Sequence, residues 1–311
     1  MQILLQVLIL AVGFAMLVKG ADWFVDGAAG IAAKFGIPQL VIGLTIVAMG
    51  TSAPEAAVSI TAALRGSADL TIGNIVGSNI LNILLILGLT AFVTNIAVAR
   101  STVRVEIPFM VGITVLLLVF GMTGGRITLL EGVVFWAVFI LYLLYLLRMA
   151  KNNKEEQPAA KPRPVWMLVL FTIGGLVCVV LGSNLTVNAA SSIARTVGLS
   201  ERLIGLTIIA FGTSLPELVT SMSAARKGNA DISIGNIVGS NIFNILFVVG
   251  TTALITPVTF APQFIMDTAI AIGAAVLLWL CAYRRHMLTH KAGALMPLCY
   301  AAYFATLVFL R

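Results

Sequence analysis

Ten long apolar stretches follow one another along the chain, at roughly 3–30, 38–64, 70–96, 106–124, 128–149, 165–193, 203–225, 232–256, 264–283 and 293–310, separated by short polar breaks. An α-helix needs about 20 residues to cross the hydrocarbon of a bilayer, and each stretch is near or above that length. The apolar character is continuous, whereas a membrane β-barrel alternates apolar and polar positions over segments of about ten residues. Helices are therefore predicted. One break differs in kind: Lys151 to Pro164 reads KNNKEEQPAAKPRP, charged and proline-rich. It is a linker between a first half, 1–150, and a second, 165–311. The pattern predicts an all-α polytopic membrane protein with ten transmembrane helices.

Composition supports this. The chain is 60% hydrophobic and 10% charged, against about 25% charged in an ordinary soluble domain. So few charges cannot cover a water-soluble body, and so apolar a chain is not disordered. Cys178, Cys281 and Cys299 lie in or beside apolar runs and make no disulfide framework. The net charge is +7, but the basic residues sit at the ends of apolar runs, where they set topology. They do not interleave with aromatics as a nucleic-acid surface would. The first run leads into Lys19, Asp22 and Asp26 and has no basic residue before it, so it reads as a span and not a cleaved signal. Neither a Walker loop nor a Ser–His or Cys–His arrangement occurs at membrane depth, which excludes nucleotide-driven and nucleophilic chemistry. His286 and His290, four apart in a basic loop, read as solvated.

The chain repeats itself. Residues 43–88 (GLTIVAMGTSAPEAAVSITAALRGSADLTIGNIVGSNILNILLILG) align without a gap on 205–250 (GLTIIAFGTSLPELVTSMSAARKGNADISIGNIVGSNIFNILFVVG), and 29 of the 46 positions are identical. The offset is 162. Each half then holds five spans. Because five is odd, the second half enters the membrane from the opposite side, so the repeats are inverted. The charges agree. With the linker in the cytoplasm, 13 Lys and Arg fall inside and five outside (Arg65, Arg126, Arg195, Arg202, Arg311), both termini being external.

Glu55 and Glu217 occupy matching positions deep in apolar runs. A carboxylate at bilayer depth costs at least roughly 2.5–3.5 kcal/mol, and no Lys or Arg recurs beside either. A cation from solution is the simplest partner; a protonated, hydrogen-bonded Glu would leave the duplication unexplained. Pro54 and Pro216 break the helices just before them, which is expected to free carbonyls near Ala48 and Ala210. Thr51 and Thr213 precede the glutamates by four residues, Ser52 and Ser214 by three, and so share the Glu face of a regular helix. Asn74, Ser78 and Asn82 form a stripe at i, i+4, i+8, repeated by Asn236, Ser240 and Asn244; interhelical hydrogen bonding is the alternative use of that stripe. An all-oxygen set suits Ca²⁺, which takes 6–8 oxygens. Asp69 and Asp231 are expected as helix N-caps. Asp22 and Asp26 share a face with Lys19 and are expected to pair with it; their counterparts are Asn184 and Asn188.

In GTSAPE (50–55), GTSLPE (212–217) and the two GNIVGSN runs, the sequence resembles the Ca²⁺/cation antiporter superfamily, and within it the prokaryotic sodium/calcium exchangers. The resemblance implies one Ca²⁺ site and several Na⁺ sites at the midplane, with broken helices at the centre and the first and sixth spans sliding to give alternating access. It implies that Glu55 and Glu217 bind both ions and that Thr51 and Thr213 serve the Ca²⁺ site through carbonyls. Asn82 and Asn244 then fall at the centre, and Ala48, Ala210, Ser52, Ser214, Ser78 and Ser240 around the flanking Na⁺ sites. Related exchangers often carry Asp where this chain has Asn244, so the motif pair here holds only two carboxylates. The implied protein is not an enzyme and needs no cofactor beyond the transported Ca²⁺ and Na⁺. Its partners are those ions and the lipid bilayer, with H⁺ or K⁺ open as coupling ions, and no nucleic acid or nucleotide. It would reside in a prokaryotic plasma (inner) membrane. Ca²⁺/H⁺ or K⁺-dependent exchange and a cation channel are the rival readings.

Overall fold

The computed structural model describes residues 2–65, 68–152, 163–198, 208 and 210–309. The long helices are α1 (Gln2–Phe35), α4 (Leu70–Val93), α5 (Thr102–Gly124), α6 (Leu129–Asn152), α7 (Val165–Thr196), α10 (Ala230–Ile255), α11 (Gln263–Tyr283) and α12 (His290–Phe309). The short ones are α2 (Gln39–Thr51), α3 (Ala53–Leu64), α8 (Ala210–Gly212) and α9 (Leu215–Arg226). Among the described residues seven helices are long and apolar enough to cross a membrane, or eight with α2 and α3 taken as one broken span. Part of the predicted seventh stretch lies outside the described residues. So does the linker from 153 to 162; Lys151 and Asn152 complete α6, and Pro164 precedes α7.

The structure departs from the predicted all-helical chain at four two-residue strands. Ile96–Ala97 pairs antiparallel with Met287–Leu288, and Arg126–Ile127 with Val258–Thr259. Both pairings join the first half to the second. They also end the predicted third stretch at Val93, because Ile96 belongs to a strand.

Polarity is distributed inside out. Leu4, Leu8, Leu130, Leu141, Trp166, Leu170, Leu280 and Leu298 are exposed, while Glu55, Glu106, Glu217, Asn82, Asn236 and Asn244 are fully buried. Water rewards the opposite arrangement, and a hydrocarbon surround rewards this one. The centre of the body is α4 and α10; α10 is 94% buried over its most apolar window.

Helices α1 and α7 pack on each other along most of their length, in opposite directions. Lipid supplies no hydrophobic drive for such a pair, so close backbone approach has to hold it. Glycines seven residues apart provide this: Gly13, Gly20 and Gly27 on α1, Gly175 and Gly182 on α7. A Cβ on Gly20 would lie 2.9 Å from the Gly175 carbonyl oxygen and the Val179 nitrogen, and one on Gly182 would lie 2.8 Å from the Gly13 oxygen and the Leu17 nitrogen. Backbone cannot yield as a side chain can.

Gly20→Leu is therefore expected to force α1 off α7 and destabilise the protein by about 1–3 kcal/mol or more, read as a lowered unfolding temperature in detergent. Gly112→Leu, at a position where a Cβ meets nothing within 4 Å, is the control expected to leave that temperature unchanged.

Candidate ion-binding site

The site begins at two helix breaks. Helix α2 ends at Thr51, Ser52 leaves helical geometry (φ −83°, ψ 6°), and α3 sets off at 49° to α2. Ser214 (φ −95°, ψ 6°) makes the same break before α9. Pro54 and Pro216 stand in the first turns of α3 and α9, where a missing N–H costs nothing. Glu55 and Glu217 also fall in those first turns and are fully buried. The positive end of the helix dipole favours a carboxylate there.

The expectation about freed carbonyls needs correction. A proline withholds the N–H that would reach the carbonyl four residues back, and for Pro54 and Pro216 that is Gly50 and Gly212. Ala48 is not released: its carbonyl accepts from the Ser52 N–H at 3.0 Å and from Ser240 Oγ at 3.3 Å. At the second break the Ser183 hydroxyl donates to the Gly212 carbonyl at 2.7 Å. The Ala210 side chain lies outside the described residues.

The two serines do not face the glutamates of their own halves. Regular helical spacing puts Ser52 beside Glu55 and Ser214 beside Glu217. In the structure the partners are exchanged between halves: Ser52 Oγ donates to Glu217 Oε1 at 2.8 Å, and Ser214 Oγ donates to Glu55 Oε1 at 3.2 Å. The bend at each serine is what redirects its side chain. Thr213 likewise faces the Glu55 carboxylate, and Thr51 and Ser240 face that of Glu217. The two carboxylates are close enough for their charges to interact.

The asparagine stripes divide in use. Asn74 Nδ2 donates to Ser59 Oγ at 3.0 Å and Asn236 Nδ2 to Ser221 Oγ at 2.9 Å, while Asn236 Oδ1 accepts from Thr51 at 2.9 Å. These two follow the interhelical alternative. Asn82 and Asn244 are fully buried where α4 and α10 widen into π-helical turns, Asn82–Leu87 and Asn244–Val249. Such turns favour functional positions. Helix α3, bearing Glu55, packs on the Asn244 turn, and α9, bearing Glu217, on the Asn82 turn. Ser78 is buried one turn before Asn82.

Four acceptor oxygens here have no hydrogen-bond partner among the described residues: Glu55 Oε2, Glu217 Oε2, Asn82 Oδ1 and Asn244 Oδ1. Buried acceptors are nearly always paired, and each unpaired one costs about 1–3 kcal/mol, more if charged. The structure thus gathers Glu55, Glu217, Thr51, Thr213, Ser52, Ser214, Ser240 and Ala48 by direct contact, and Asn82 and Asn244 by helix packing.

Sequence reading missed Asn79 and Asn241, which hydrogen-bond to Asn82 and Asn244 across the halves. Their only signal is a place in the duplicated octet, one residue off the stripe. It also missed Glu106, a third buried carboxylate, to which the Tyr145 hydroxyl donates. Asp22 and Asp26 pair with Lys227, the C-cap of α9, at 3.4 and 2.7 Å, in place of the expected Lys19. Asp231 lies inside the first turn of α10, with Asn229 at the cap, and the Asp69 side chain is outside the described residues. His290 is exposed but opens α12 in place of lying in a loop, with its Nδ1 2.7 Å from the Phe92 carbonyl, and His286 is half-buried beside the strand Met287–Leu288.

Fold and centre together define a class: an integral membrane protein that keeps its polarity at its core. The family model for sodium/calcium exchanger protein matches residues 5–148 and 167–309. Inner membrane protein YrbG of Escherichia coli is 38% identical over 91% of this chain and 90% of its own length. Sodium/calcium exchanger MaX1 of Methanosarcina acetivorans is 30% identical over 97% of this chain and 98% of its own. A structure of the sodium-calcium exchanger NCX_Mj, soaked with Na⁺ and Ca²⁺, superposes with a TM-score of 0.85 at 33% identity over 99% of both chains. The chain belongs to the sodium/calcium exchanger family.

Ser52→Ala removes the shorter of the two serine–carboxylate bonds and leaves Glu217 Oε1 without that donor. Equilibrium ⁴⁵Ca²⁺ binding to the purified protein is expected to weaken by roughly tenfold, the scale of one hydrogen bond to a charged group, with a smaller loss for Ser214→Ala at the longer contact.

Proposed function

We propose that this chain is a secondary antiporter that exchanges Na⁺ for Ca²⁺ at the Glu55–Glu217 centre by alternating access. The four bare oxygens carry the reading. A buried cluster that only accepts, holding two formal negative charges and, among the described residues, no cationic side chain, is complementary to a divalent cation. Ca²⁺ and the two carboxylates sum to neutral. Glu55, Glu217, Asn82 and Asn244 supply four side-chain oxygens toward the 6–8 that Ca²⁺ takes. The Thr51 hydroxyl donates to Asn236, and Thr51 and Thr213 are assigned to the Ca²⁺ site through their carbonyls, as the family resemblance implies. Ser52, Ser214, Ser78, Ser240 and the Ala210 carbonyl are the oxygens assigned to flanking Na⁺, and the Ala48 carbonyl would join them only by releasing the Ser52 N–H or Ser240 hydroxyl it accepts from.

Coupling follows from electrostatics. A bare pair of carboxylates opposes passage of the centre through an apolar barrier. Ca²⁺ neutralises it, and so do Na⁺ ions, but the two cargoes need the same oxygens and exclude each other. Only loaded forms switch, so one ion moves against the other. Membership of the exchanger family and the names of MaX1 and NCX_Mj support this choice of cargo.

The proposed architecture is ten crossings in two inverted five-helix repeats, 1–150 and 165–311, joined by a cytoplasmic linker at 151–164. It fits the asymmetry of Lys and Arg, and it accounts for contacts that recur at an offset of 162 in both halves, such as those from Ser52 and Ser214. The proposed location is the prokaryotic plasma membrane with both termini outside, in keeping with an inner-membrane relative in Escherichia coli.

Proteoliposomes loaded with Na⁺ are expected to take up ⁴⁵Ca²⁺ when diluted into Na⁺-free buffer, and Glu55→Gln and Glu217→Gln to reduce uptake to background. Separate H⁺ and K⁺ gradients identify the coupling ion: uptake driven by a pH gradient without Na⁺ would replace the Na⁺ reading with Ca²⁺/H⁺ exchange.

A further inference from the structure

The hydrogen bonds around Asn79 and Asn241 leave one arrangement open. Asn79 Nδ2 donates to the backbone carbonyl of Asn241 at 3.2 Å, and Asn241 Nδ2 donates to that of Asn79 at 3.1 Å. A carbonyl oxygen only accepts, so both side chains must turn their NH₂ ends to it. Their Oδ1 atoms then face the opposite way. There Asn244 Nδ2 donates to Asn79 Oδ1 and Asn82 Nδ2 to Asn241 Oδ1, each at 3.1 Å. An acceptor is met only by a donor, so Asn82 and Asn244 must spend their NH₂ groups on this bracket and turn Oδ1 elsewhere. Those two Oδ1 atoms are half of the unpaired set at the centre. None of the four side chains is more than 4% exposed, so water does not compete for these bonds. Before a cation arrives, an amide without such partners rotates between its two ends. Here backbone carbonyls, acting through a second asparagine, decide which end is offered.

We infer that Asn79 and Asn241 are positioning residues for transport: each locks the asparagine of the opposite half with its oxygen toward the cation. The inference rests on the proposed role of Asn82 and Asn244 as cation ligands. A flipped Asn82 would point NH₂ hydrogens at Ca²⁺, so the lock acts on cation affinity and not on the rate of the conformational change.

The test is a double-mutant cycle on ⁴⁵Ca²⁺ uptake by proteoliposomes holding the full chain. Asn241→Ala is expected to raise the KM for Ca²⁺ about tenfold, the scale of one hydrogen bond, with little change in maximal rate. Asn82→Ala should raise KM at least as much. The double variant N82A/N241A should be no worse than N82A, because the residue being oriented is gone. N241A/N244A should multiply its two penalties, since Asn244 is held by Asn79, whose own bond to the 241 backbone survives the substitution. A wild-type KM in N241A, or penalties that multiply for N82A/N241A, would overturn the inference. A wild-type KM in N82A would overturn the ligand reading beneath it. If N241A does not fold, N241S replaces it, with a hydroxyl too short to reach Asn82, and ⁴⁵Ca²⁺ binding in detergent gives the same cycle.

Discussion

Two carboxylates lie at one place inside an apolar body, each holding one oxygen on a serine of the opposite half and the other without a hydrogen-bond partner among the described residues. Taking a single such charge out of water costs several kcal/mol even after relaxation, and here two of like sign interact. The rest of the structure moderates this cost without removing it. Helix breaks place both groups in first turns, under the positive end of a dipole. The serines supply one donor each. The most buried helices then add two more bare oxygens where a further donor would have completed the compensation. An arrangement meant only for stability would have filled those positions with N–H or O–H groups, or with aliphatic side chains.

Every element of the centre is assembled across the halves. Ser52 serves Glu217 and Ser214 serves Glu55; Asn241 orients Asn82 and Asn79 orients Asn244; α3 packs on the Asn244 turn and α9 on the Asn82 turn. Neither half therefore contains a complete site. A displacement of one half against the other alters both clusters at once, which is the physical requirement for a carrier whose occupancy governs its movement. The small residues at the crossing points serve the same end. Gly235 and Gly239 of α10 lie so close to Gly43, Leu44 and Ala48 of α2 that an added Cβ on Gly239 would stand 2.7 Å from that of Ala48.

What could be read from the sequence follows from which constraints are local. Glu55 and Glu217 were legible because a charge in an apolar run is expensive wherever the run folds, and their duplication removed chance as an explanation. The helix breaks were legible because proline acts on its own backbone. The partners of Ser52 and Ser214 were not, since spacing arguments assume a straight helix and these residues sit at the bend. Asn79 and Asn241 were hidden for a related reason: they point to the other half, away from the stripe that periodicity detects. Glu106 lay at the edge of a predicted stretch, where a polar residue reads as a boundary; the π-helical turn Thr102–Glu106 instead carries the helix outward past it. Strands of two residues have no periodicity to detect.

Comparing the halves separates chemistry that duplication has kept from chemistry it has not. The contacts of Asp22 and Asp26 with Lys227 tie α1 to α9, yet the matching positions are Asn184, Asn188 and Arg65, so the same ionic contact cannot form on the other side. These side chains are 29–39% exposed, and an exposed ion pair contributes only about 0–1 kcal/mol, which one half can forgo without losing the fold. The centre allows no such economy. Replacing one carboxylate would leave a buried monovalent charge facing the proposed divalent guest, and replacing one asparagine of the bracket would leave its partner in the other half free to turn the wrong end inward. The two halves agree in the polar residues of the centre, whereas outside it even the fully buried Glu106 is matched by Thr268.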